Sequence, residues 1–485
     1  MYCHVCSVFV SICNKLYQNK IITKGDNDLS LSVKIIIGKK LNISGLPEKF
    51  SDRLTQNLKF TNPKWLENER MGRWNGNVPK ILKFYDKTGQ KNLWIPRGYI
   101  RQLILLLRRE NLDYTIIDQR RLLPVQAFNF NGQLKPFQKR AVEALHAKDF
   151  GTLCAPTGSG KTVMAFSLIA LRNQPTLVIV HTKDLAYQWI ERARQFLKIP
   201  NNEIGLIGAG KKIRGRWLTV ALIQSLYKCA HEISQNIGYL IVDECHRTPS
   251  RTFTEAVTAF DSRYMLGLTA TPWRRDGLSQ LIFWHLGDMH HEVKKYQLVT
   301  QGDILKVEVV YRKTHFKPYY DPVNEYSKML AELTADDDRN RMICEDIVKE
   351  LQQQCGVCLV LSDRKKHCET LRMLLKYKFN VAAELLTGDL SSGRRKEVLD
   401  RLQGGQVKIL IATGQLIGEG FDHKNLATLF LVTPIRFSGR VIQYLGRILR
   451  ASKSKKKARV YDYVDVNVDV LKAAAKARQR VYAGE

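Results

Sequence analysis

The sequence predicts an α/β protein with two doubly wound parallel-sheet domains in tandem behind a small N-terminal α+β domain. Three observations predict it. From about residue 150, short runs rich in Val, Ile and Leu alternate with helical stretches, which is typical of βαβ units on a parallel sheet. Charged and β-like segments interrupt this series between about residues 290 and 340, so it divides into two. Before NGQLKPF the pattern differs, with separate strands and one amphipathic helix.

These patterns divide the chain into four segments. Residues 1–30 form an N-terminal extension, 31–125 the small basic domain, 126–300 the first doubly wound domain and 301–485 the second. In the small domain, VKIIIG and ILKFYD predict strands, and GYIRQLILLLRREN predicts a helix. In the larger domains the predicted strands are GTLCA, TLVIV, LTVAL, YLIVDE, YMLGLTA, CGVCLVLS, VKILIAT and ATLFLVT.

The composition is that of a folded, strongly basic protein. Of 485 residues, 44% are hydrophobic, which supplies enough apolar surface for real cores and excludes a largely disordered chain. Lys and Arg number 77 against 46 Asp and Glu, so the net charge is +31. Such a charge favours nucleic acid as the partner over a merely solvated surface. Charges break every apolar run well before the roughly 20 residues that a membrane-spanning helix needs, so we expect no membrane partner.

The ten cysteines are scattered along the chain, and its start lacks the basic region and cleavage site of a secretory signal. We therefore expect a reducing compartment. Cys3, His4, Cys6 and Cys13 could gather a metal, but no second pair at zinc-ribbon spacing accompanies them. The role of this cluster stays open.

A phosphate-binding loop follows the first strand of the first large domain. The loop is Ala155-Pro156-Thr157-Gly158-Ser159-Gly160-Lys161-Thr162, and it lies between GTLC and the helix VMAFSLIALR. Gly158 and Gly160 permit the tight turn that aims backbone N–H groups at phosphates. Lys161 supplies charge for the β and γ phosphates, and Thr162 offers a hydroxyl to Mg²⁺. Strand, loop and helix in this order favour a P-loop, with Ala155 replacing its first glycine, over an ordinary glycine turn.

Asp243 and Glu244 directly follow the apolar strand YLIV. In an NTPase the first carboxylate can hold the Mg²⁺ shell, and the second can orient or deprotonate the attacking water. The pair could instead cap a helix, but the preceding P-loop favours catalysis.

The second large domain contains Gln443-Tyr-Leu-Gly-Arg447-Ile-Leu-Arg450. Its two arginines are three residues apart, so they share one helix face. The planar guanidinium binds two phosphoryl oxygens at once, which suits a transferring phosphate. The alternative is a solvated basic face.

Together these motifs resemble the ordered motifs of the superfamily 2 helicases. APTGSGKT, DECH, Thr269-Ala270-Thr271 and QYLGRILR carry the resemblance, and LKPFQ with Gln138 resembles the segment that reads adenine. Five further segments resemble other motifs of that superfamily, including its nucleic-acid motifs: VIVHTKDLAYQW, VALIQSL, CLVLSDRKKHCETL, LLTGDLSSGRR and ILIATGQLIGEGFD. The resemblance covers about residues 131–465 and implies a RecA-like fold for both large domains.

Within the superfamily, the chain is similar to the group that includes phage UvsW and the repair helicase XPB. LIGAGK, VALIQSL and TATPWRRDG carry this likeness, and TNPKWLENERMGRWNGNVPKILKFYD resembles the UvsW N-terminal domain. Arg274-Arg275-Asp276 stands where XPB-type enzymes have Arg-Glu-Asp, so its middle residue departs from the pattern. The likeness implies the cytoplasm of a prokaryote or of a phage host.

The resemblance also implies a role for each motif residue. ATP and Mg²⁺ would bind in the cleft between the two large domains. The implied ATP-site residues are Gln138 for adenine, the P-loop with Lys161 and Thr162, Asp243 and Glu244, and Gln443, Arg447 and Arg450 from the second domain. Thr269 and Thr271 would couple the nucleotide state to domain closure. The candidate nucleic-acid contacts are Arg73, Trp74, Gln224, Arg274, Arg275 and Thr413.

We therefore expect an ATP-dependent DNA helicase or translocase acting on branched, forked or single-stranded DNA in repair or recombination. An RNA helicase or a restriction-type motor subunit stays open. So does an ATP-gated clamp that binds or anneals strands, although Glu244 and the two arginines argue against an inactive ATPase.

Trp65, Trp74 and Trp94 lie near Arg70 and Arg73 in the small domain. Tryptophan beside arginine can form a base-stacking surface. Core packing is the more common use of tryptophan in a small domain, and we expect it here, with base stacking as the alternative.

Overall fold

The computed structural model of the chain describes residues 32–89, 92–247, 251–271, 277–300, 305, 307–353, 356–414, 423, 425–435, 441, 444–446 and 458–483. The predicted N-terminal extension, with Cys3, His4, Cys6 and Cys13, lies outside them. The chain forms two compact units, Met1–Arg121 and Leu122–Glu485.

From residue 32 onward, where its description begins, the first unit contains a mixed five-stranded sheet, a separate hairpin and three helices. Its strands are β1 (Val33–Ile37), β2 (Leu41–Ser44), β3 (Lys59–Thr61), β4 (Ile81–Lys83), β5 (Asp86–Thr88), β6 (Asn92–Ile95) and β7 (Tyr114–Asp118). Its helices are α1 (Glu48–Asn57), α2 (Pro63–Arg70) and α3 (Ile100–Arg109). The sheet order is β5-β6-β2-β1-β7, in which only β1 and β7 pair in parallel, and β3 pairs with β4.

The periodicity of the first unit explains its core. Along β1 alternate residues are buried, and α3 buries Ile100, Leu103 and Leu107 on one face. The single strand predicted over ILKFYD is wrong. Phe84 continues the hairpin by donating its N–H to the carbonyl of Leu58, and the chain then turns to form β5 at the edge of the larger sheet.

The described residues of the second unit form two large sheets, of which the first has eight strands. These are β8 (Phe150–Cys154), β9 (Thr176–Val180), β10 (Ile204–Gly208), β11 (Lys211–Ile213), β12 (Leu218–Leu222), β13 (Tyr239–Val242), β14 (Tyr264–Thr269) and β15 (Met289–Glu292). The helices with them are α4 (Pro136–His146), α5 (Lys161–Arg172), α6 (Lys183–Leu197), α7 (Ile223–Leu226), α8 (Ala230–Ile233), α9 (Arg251–Thr258), α10 (Gln280–Leu286) and α11 (Lys295–Thr300).

The other large sheet has six strands: β16 (Val307–Thr314), β17 (Val357–Ser362), β18 (Glu384–Leu386), β19 (Ile409–Thr413), β20 (Leu426–Leu431) and β21 (Ala458–Asp465). Its helices are α12 (Tyr326–Ala335), α13 (Asp337–Gln353), α14 (Lys365–Phe379), α15 (Ser392–Gln403) and α16 (Asp469–Ala483).

Both sheets are doubly wound, as predicted. The first has the order β11-β10-β12-β9-β13-β14-β8-β15 and is parallel except for the β10–β11 pair. The second has the order β16-β21-β20-β17-β19-β18 and is parallel throughout. Every residue of β9, β12, β13, β17 and β20 is buried, because helices cover both faces of a parallel sheet.

The segment between about residues 290 and 340 belongs to both sheets. It contains the end of β15, which pairs with β8, and all of β16, which pairs with β21. The chain therefore enters the second sheet along a regular strand at its edge. In the part of the chain that the structure describes, no helix has the length and apolar character to cross a bilayer.

Candidate active site

The loop between β8 and α5 has the backbone geometry of a phosphate-binding turn. Gly158 and Gly160 have φ angles of +90° and +86°, in the left-handed region that glycine adopts without strain. Gly160 is the N-cap of α5, and Lys161 is the first helical residue. The Lys161 ammonium group donates a hydrogen bond to the carbonyl oxygen of Ala155 at 3.1 Å. The first N–H groups of the helix therefore meet a positive side chain at one place, which suits an anion.

Two hydroxyl groups of the same loop indicate that it fits a triphosphate. Thr157 Oγ1 and Ser159 Oγ are buried and have no hydrogen-bond partner within the described residues, and Ser159 is only 3% exposed. A buried polar atom left without a partner costs about 1–3 kcal/mol. Phosphate oxygens would accept hydrogen bonds from both hydroxyls and remove that cost. Thr162, the predicted Mg²⁺ ligand, is half-buried in the first turn of α5.

Gln138 lies against this loop from the first turn of α4. Its Oε1 accepts from the N–H of Lys135 at 2.9 Å, and its Nε2 donates to the carbonyl of Ser159 at 2.8 Å. A Cβ at Gly160 would overlap Nε2 and would displace the amide, and the φ of +86° also favours glycine there. Gln138 thus supports the P-loop directly, and its reading of adenine stays a prediction.

The two predicted carboxylates follow β13 and lie beside the P-loop. Asp243 is 7% exposed, its Oδ2 accepts from the indole N–H of Trp189 at 2.8 Å, and its Oδ1 accepts from the N–H of Glu244 at 2.9 Å. Burial, and then the negative charge of Glu244, raise the pKa of Asp243. A divalent cation at this carboxylate would favour its ionised form, so the residue fits the predicted metal role.

Glu244 has a backbone conformation that is unusual for a non-glycine residue, with φ of +48°. Its Oε1 lies 3.9 Å from Lys161 Nζ, and its Oε2 lies 3.4 Å from His246 Nδ1. The left-handed turn after β13 therefore aims this carboxylate at the P-loop rather than along the strand.

His246 connects Glu244 to the end of β14. Its Nδ1 lies 3.0 Å from the hydroxyl of Thr269, which donates to the carbonyl of Thr271 at 2.7 Å and accepts from the N–H of Thr271 at 3.1 Å. Because that hydroxyl gives its proton to Thr271, the imidazole donates from Nδ1. His246, Thr269 and Thr271 are thus linked by hydrogen bonds, and the carboxylate of Glu244 lies 3.4 Å from the imidazole that begins this series.

Sequence reasoning missed Trp189 and His246 as residues of this site. Both lie in segments that carried the resemblance, since His246 ends DECH and Trp189 ends VIVHTKDLAYQW. Their contacts to Asp243 and Glu244 depend on the three-dimensional arrangement of β13 and α6.

The second sheet also contributes to the site. A Cβ at Gly446 would overlap the side chain of Thr157, so the QYLGRILR segment contacts the P-loop. Tyr444 of this segment donates its hydroxyl proton to the carbonyl of Gly414 at 2.8 Å. The remaining predicted residues of this segment, Gln443, Arg447 and Arg450, lie outside the described residues.

The predicted nucleic-acid residues are distributed over both units. Gln224 is exposed at the start of α7, immediately after β12, and Thr413 is half-buried at the end of β19. Arg274 and Arg275 lie outside the described part of the chain. Gln224 and Thr413 thus lie at the carboxyl ends of parallel strands, where α/β sheets bind their ligands.

The expectation of core packing is wrong for Trp74, which is 84% exposed, and Arg73 is exposed beside it. The indole of Trp74 lies over the backbone of Gly76, where a Cβ would overlap the ring. Trp65 and Trp94 are partly buried. The loop between α2 and β4 is part of the connection between the two strands of the separate hairpin, β3 and β4, and not of the five-stranded sheet.

Two family models match the chain. They are the Type III restriction enzyme res subunit, over residues 131–274, and the helicase conserved C-terminal domain, over residues 339–452. Together they cover just over half of the chain. The matched ranges include Gln138, the P-loop, the two carboxylates and the pair Arg447 and Arg450. The chain belongs to the superfamily 2 helicases. It is therefore an ATP-hydrolysing enzyme, and its family acts on nucleic acids.

Relatives agree with this assignment. DNA 3'-5' translocase XPB2 of Sulfurisphaera tokodaii is 26% identical over 389 residues, which cover 73% of this chain and 85% of that protein. A protein of Acanthamoeba polyphaga mimivirus that carries the name of an ATP-dependent RNA helicase is 27% identical over 444 residues, with 87% and 78% covered. Similarity to XPB-type helicases, expected from the motifs, is confirmed.

A solved structure supports the fold. Saccharomyces cerevisiae Dbp5 bound to RNA and ADP BeF3 aligns with a TM-score of 0.52 and 16% identity, over 73% of this chain and 88% of that one. The predicted tandem RecA-like architecture of this helicase is confirmed.

Proposed function

We propose that this helicase is an ATP-driven motor that translocates on DNA and remodels branched or forked DNA in repair or recombination. The observation that carries the proposal is the contact between Thr157 and Gly446, because it joins the P-loop of one sheet to the arginine-bearing segment of the other. A nucleotide site built from both sheets opens and closes with hydrolysis, and such motion is what a translocase needs.

The residues around the P-loop define how ATP is held. The N-terminus of α5 and Lys161 bind the β and γ phosphates, and the hydroxyls of Thr157 and Ser159 donate to phosphate oxygens. Thr162 and Asp243 would hold Mg²⁺. When bound, Mg²⁺ neutralises negative charge that develops on the phosphates.

Glu244 orients the attacking water and accepts its proton. Its Oε1 lies 3.9 Å from Lys161 Nζ, beside the place that the γ phosphate would occupy. Arg447 and Arg450, with Gln443, complete the site from the second sheet and stabilise charge on the transferred phosphoryl group.

The change at Glu244 on hydrolysis affects His246 through their 3.4 Å charge contact. From His246 it reaches Thr269 and Thr271 through hydrogen bonds. A change of charge or hydrogen bonding at Glu244 alters the bond that His246 makes to Thr269. The hydroxyl of Thr269 bonds to the backbone of Thr271, three residues before Arg274. We propose Arg274 and Arg275 as DNA contacts, along with Gln224 and Thr413.

The net charge of +31 and the basic, exposed loop of the first unit suit either nucleic acid. DNA is favoured over RNA because the relative XPB2 carries the name of a DNA translocase. The mimivirus relative supports an RNA helicase as the second candidate, since its name describes one. On the grounds of cysteine usage we propose a reducing cytoplasm, in a prokaryote or a phage host.

The test is the ATPase rate with single-stranded DNA, forked DNA, four-way junctions and RNA of matched length, in the presence of Mg²⁺. We expect the highest kcat/KM for nucleic acid with forked or four-way DNA. A higher value with RNA would favour the RNA helicase, and tight strand binding without stimulated turnover would favour the clamp. The Glu244→Gln variant is the control for contaminating ATPase.

A further inference from the structure

One surface of the first unit is not explained by the fold. Between α2 and β4, the loop 71–80 carries Trp74, the side chain of which is 84% exposed. Met71 and Ile81, at the two ends of the loop, are 55% and 48% exposed. Three large apolar side chains thus meet solvent within eleven residues of the chain. Single exposed apolar residues are common, whereas a cluster indicates a contact surface.

Hydrogen bonds fix the conformation of this loop. Asn75 accepts from the amide of Asn68 at 3.0 Å and donates to the carbonyl of Trp65 at 3.2 Å, so it ties the loop to α2. The N–H of Arg73 donates to the carbonyl of Asn68 at 2.8 Å. At the other end, Asn62 donates to the carbonyl of Pro79 at 2.9 Å. Trp74 is therefore presented from a structured turn, which lowers the entropy lost on binding.

The charge around the loop is positive. Arg70, Arg73 and Lys80 are exposed, and Lys80 lies 4.8 Å from the centre of the Trp65 ring. Within the described residues, the side chains of Arg70 and Arg73 form no ion pair, so their charge is available to a polyanion. An open indole among available cations matches bases on a phosphate backbone better than a protein surface.

Stacking restricts which part of a nucleic acid fits. Bases inside a duplex are already stacked on both faces, so an indole can stack only on a base at a strand end, in a single strand or at a branch point. Cations beside the indole would contact the phosphates next to that base.

We propose that loop 71–80 is a nucleic-acid site in which Trp74 stacks on an unpaired base of DNA at a branch point, while Arg70, Arg73 and Lys80 bind the flanking phosphates. This proposal rests on the proposed function for the choice of DNA, and it names the feature that a branched substrate must offer. The loop distinguishes branched DNA from fully paired DNA, because only the former offers an unpaired base to Trp74. Its cations contribute affinity that is independent of base sequence.

The test uses the full chain with three DNAs: a fork with 2-aminopurine at the first unpaired position, the same fork unlabelled, and a relaxed, covalently closed circular duplex (the closed duplex), which has neither strand ends nor loops. Trp74→Ala should weaken binding of the fork about tenfold and leave binding of the closed duplex unchanged. It should also abolish the fluorescence quenching that stacking causes. Trp74→Phe should restore most of both signals, because phenylalanine can also stack.

Two control variants separate stacking from other effects. Tyr319→Ala removes an aromatic side chain that is 88% exposed in the second unit. It should change neither the affinity for the fork nor the affinity for the closed duplex. The Arg70→Gln/Arg73→Gln variant should weaken the fork and the closed duplex alike and reduce the salt dependence. An equal loss on both DNAs for Trp74→Ala, or unchanged fork binding, would overturn the proposal.

Failure of this proposal is distinguishable from failure of the proposed function. If DNA stimulates ATP hydrolysis but Trp74→Ala binds forks normally, the loop is not the site and the motor stands. If Trp74 is required for fork binding but DNA does not stimulate hydrolysis, the loop stands and the motor proposal fails.

Discussion

The carboxylate of Asp184 and the guanidinium of Arg395 lie 2.6 Å apart and join α6 of the first large sheet to α15 of the second. Asp184 lies in the first turn of α6, the helix that follows β9. Beside the pair is a cavity of about 420 Å³, lined by α6 and α15. The ion pair forms in the same arrangement that places Gly446 against Thr157 of the P-loop.

The first prediction concerns this ion pair. Asp184→Asn and Arg395→Gln should each raise the KM for ATP by at most about fivefold, because partly exposed pairs contribute about 0.2–1 kcal/mol. The kcat should change little. The exchanged pair Asp184→Arg with Arg395→Asp should recover much of the loss, and a double-mutant cycle of KM at low salt measures this. Additive effects of the two substitutions would show that the pair does not stabilise closure.

The second prediction concerns Glu244. Glu244→Gln keeps the shape of the side chain but removes its ability to accept a proton, so DNA-stimulated turnover should fall about a thousandfold or more. Nucleotide affinity should stay within a few-fold of the wild type, measured by titration with a fluorescent ATP analogue. Lys161→Ala is the matched contrast, since it should weaken nucleotide binding itself. Near-normal turnover of the Glu244 variant with DNA would disprove the assigned role.

The third prediction concerns His246, which lies between Glu244 and Thr269. His246→Ala removes the donor to the Thr269 hydroxyl but leaves the bonds between Thr269 and Thr271 in place. We expect a basal ATPase rate within about threefold of the wild type, together with a loss of most of the stimulation by DNA. Steady-state rates with and without forked DNA measure this. Equal loss of both rates would place His246 in the hydrolysis step instead of the coupling.

Two of these residues show what the sequence could and could not predict. Glu244 was predicted because its strand and motif are local patterns, and the same is true of the P-loop and the buried strands of both sheets. His246 was not, because its contact to Thr269 depends on how β13 and β14 lie side by side. Core packing of Trp74 is a wrong prediction for a related reason, since composition does not say that residues 71–80 lie outside the five-stranded sheet.

The fourth prediction is a pH dependence of stability. His367 is buried between Ser362 and Asn340, with its Nδ1 accepting from the Ser362 hydroxyl at 3.0 Å and its Nε2 donating to Asn340 Oδ1 at 2.9 Å. Burial, and then the charge of Arg339, lower the pKa of His367 to about 3. The unfolded chain titrates near pH 6.5. The pKa of His367 is lower in the folded chain than in the unfolded chain. Its contribution to the free energy of unfolding is therefore fully present above about pH 6.5 and decreases as the pH falls towards 3.

The loss attributable to His367 should be about 2 kcal/mol at pH 5. Hydrogen exchange of the amides of β17, which ends at Ser362, measures the local free energy of opening at pH 7 and pH 5. His367→Gln should be less stable at pH 7 but should lose about 2 kcal/mol less on acidification than the wild type. An identical pH dependence in both proteins would show that the imidazole is not kept neutral by the fold.

The last prediction concerns the division of labour between the two units. The first unit, Met1–Arg121, contains none of the ATPase motifs, while the second contains the P-loop, both carboxylates and Gly446. A chain that begins at Leu122 should therefore hydrolyse ATP with single-stranded DNA within about tenfold of the full-length rate. Its preference for forks over single strands should disappear, and its affinity should depend less on salt, because the phosphate contacts of the first unit are lost.

Binding titrations of forked and single-stranded DNA at two salt concentrations, with circular dichroism to confirm folding, measure this. The Trp74→Ala variant of the full chain is the matched control, since it should lose fork preference while keeping most of the salt dependence. A shortened chain that still prefers forks would place recognition in the second unit. Insoluble protein, or equal loss of activity on every DNA, would show instead that the first unit stabilises the sheet that carries the P-loop.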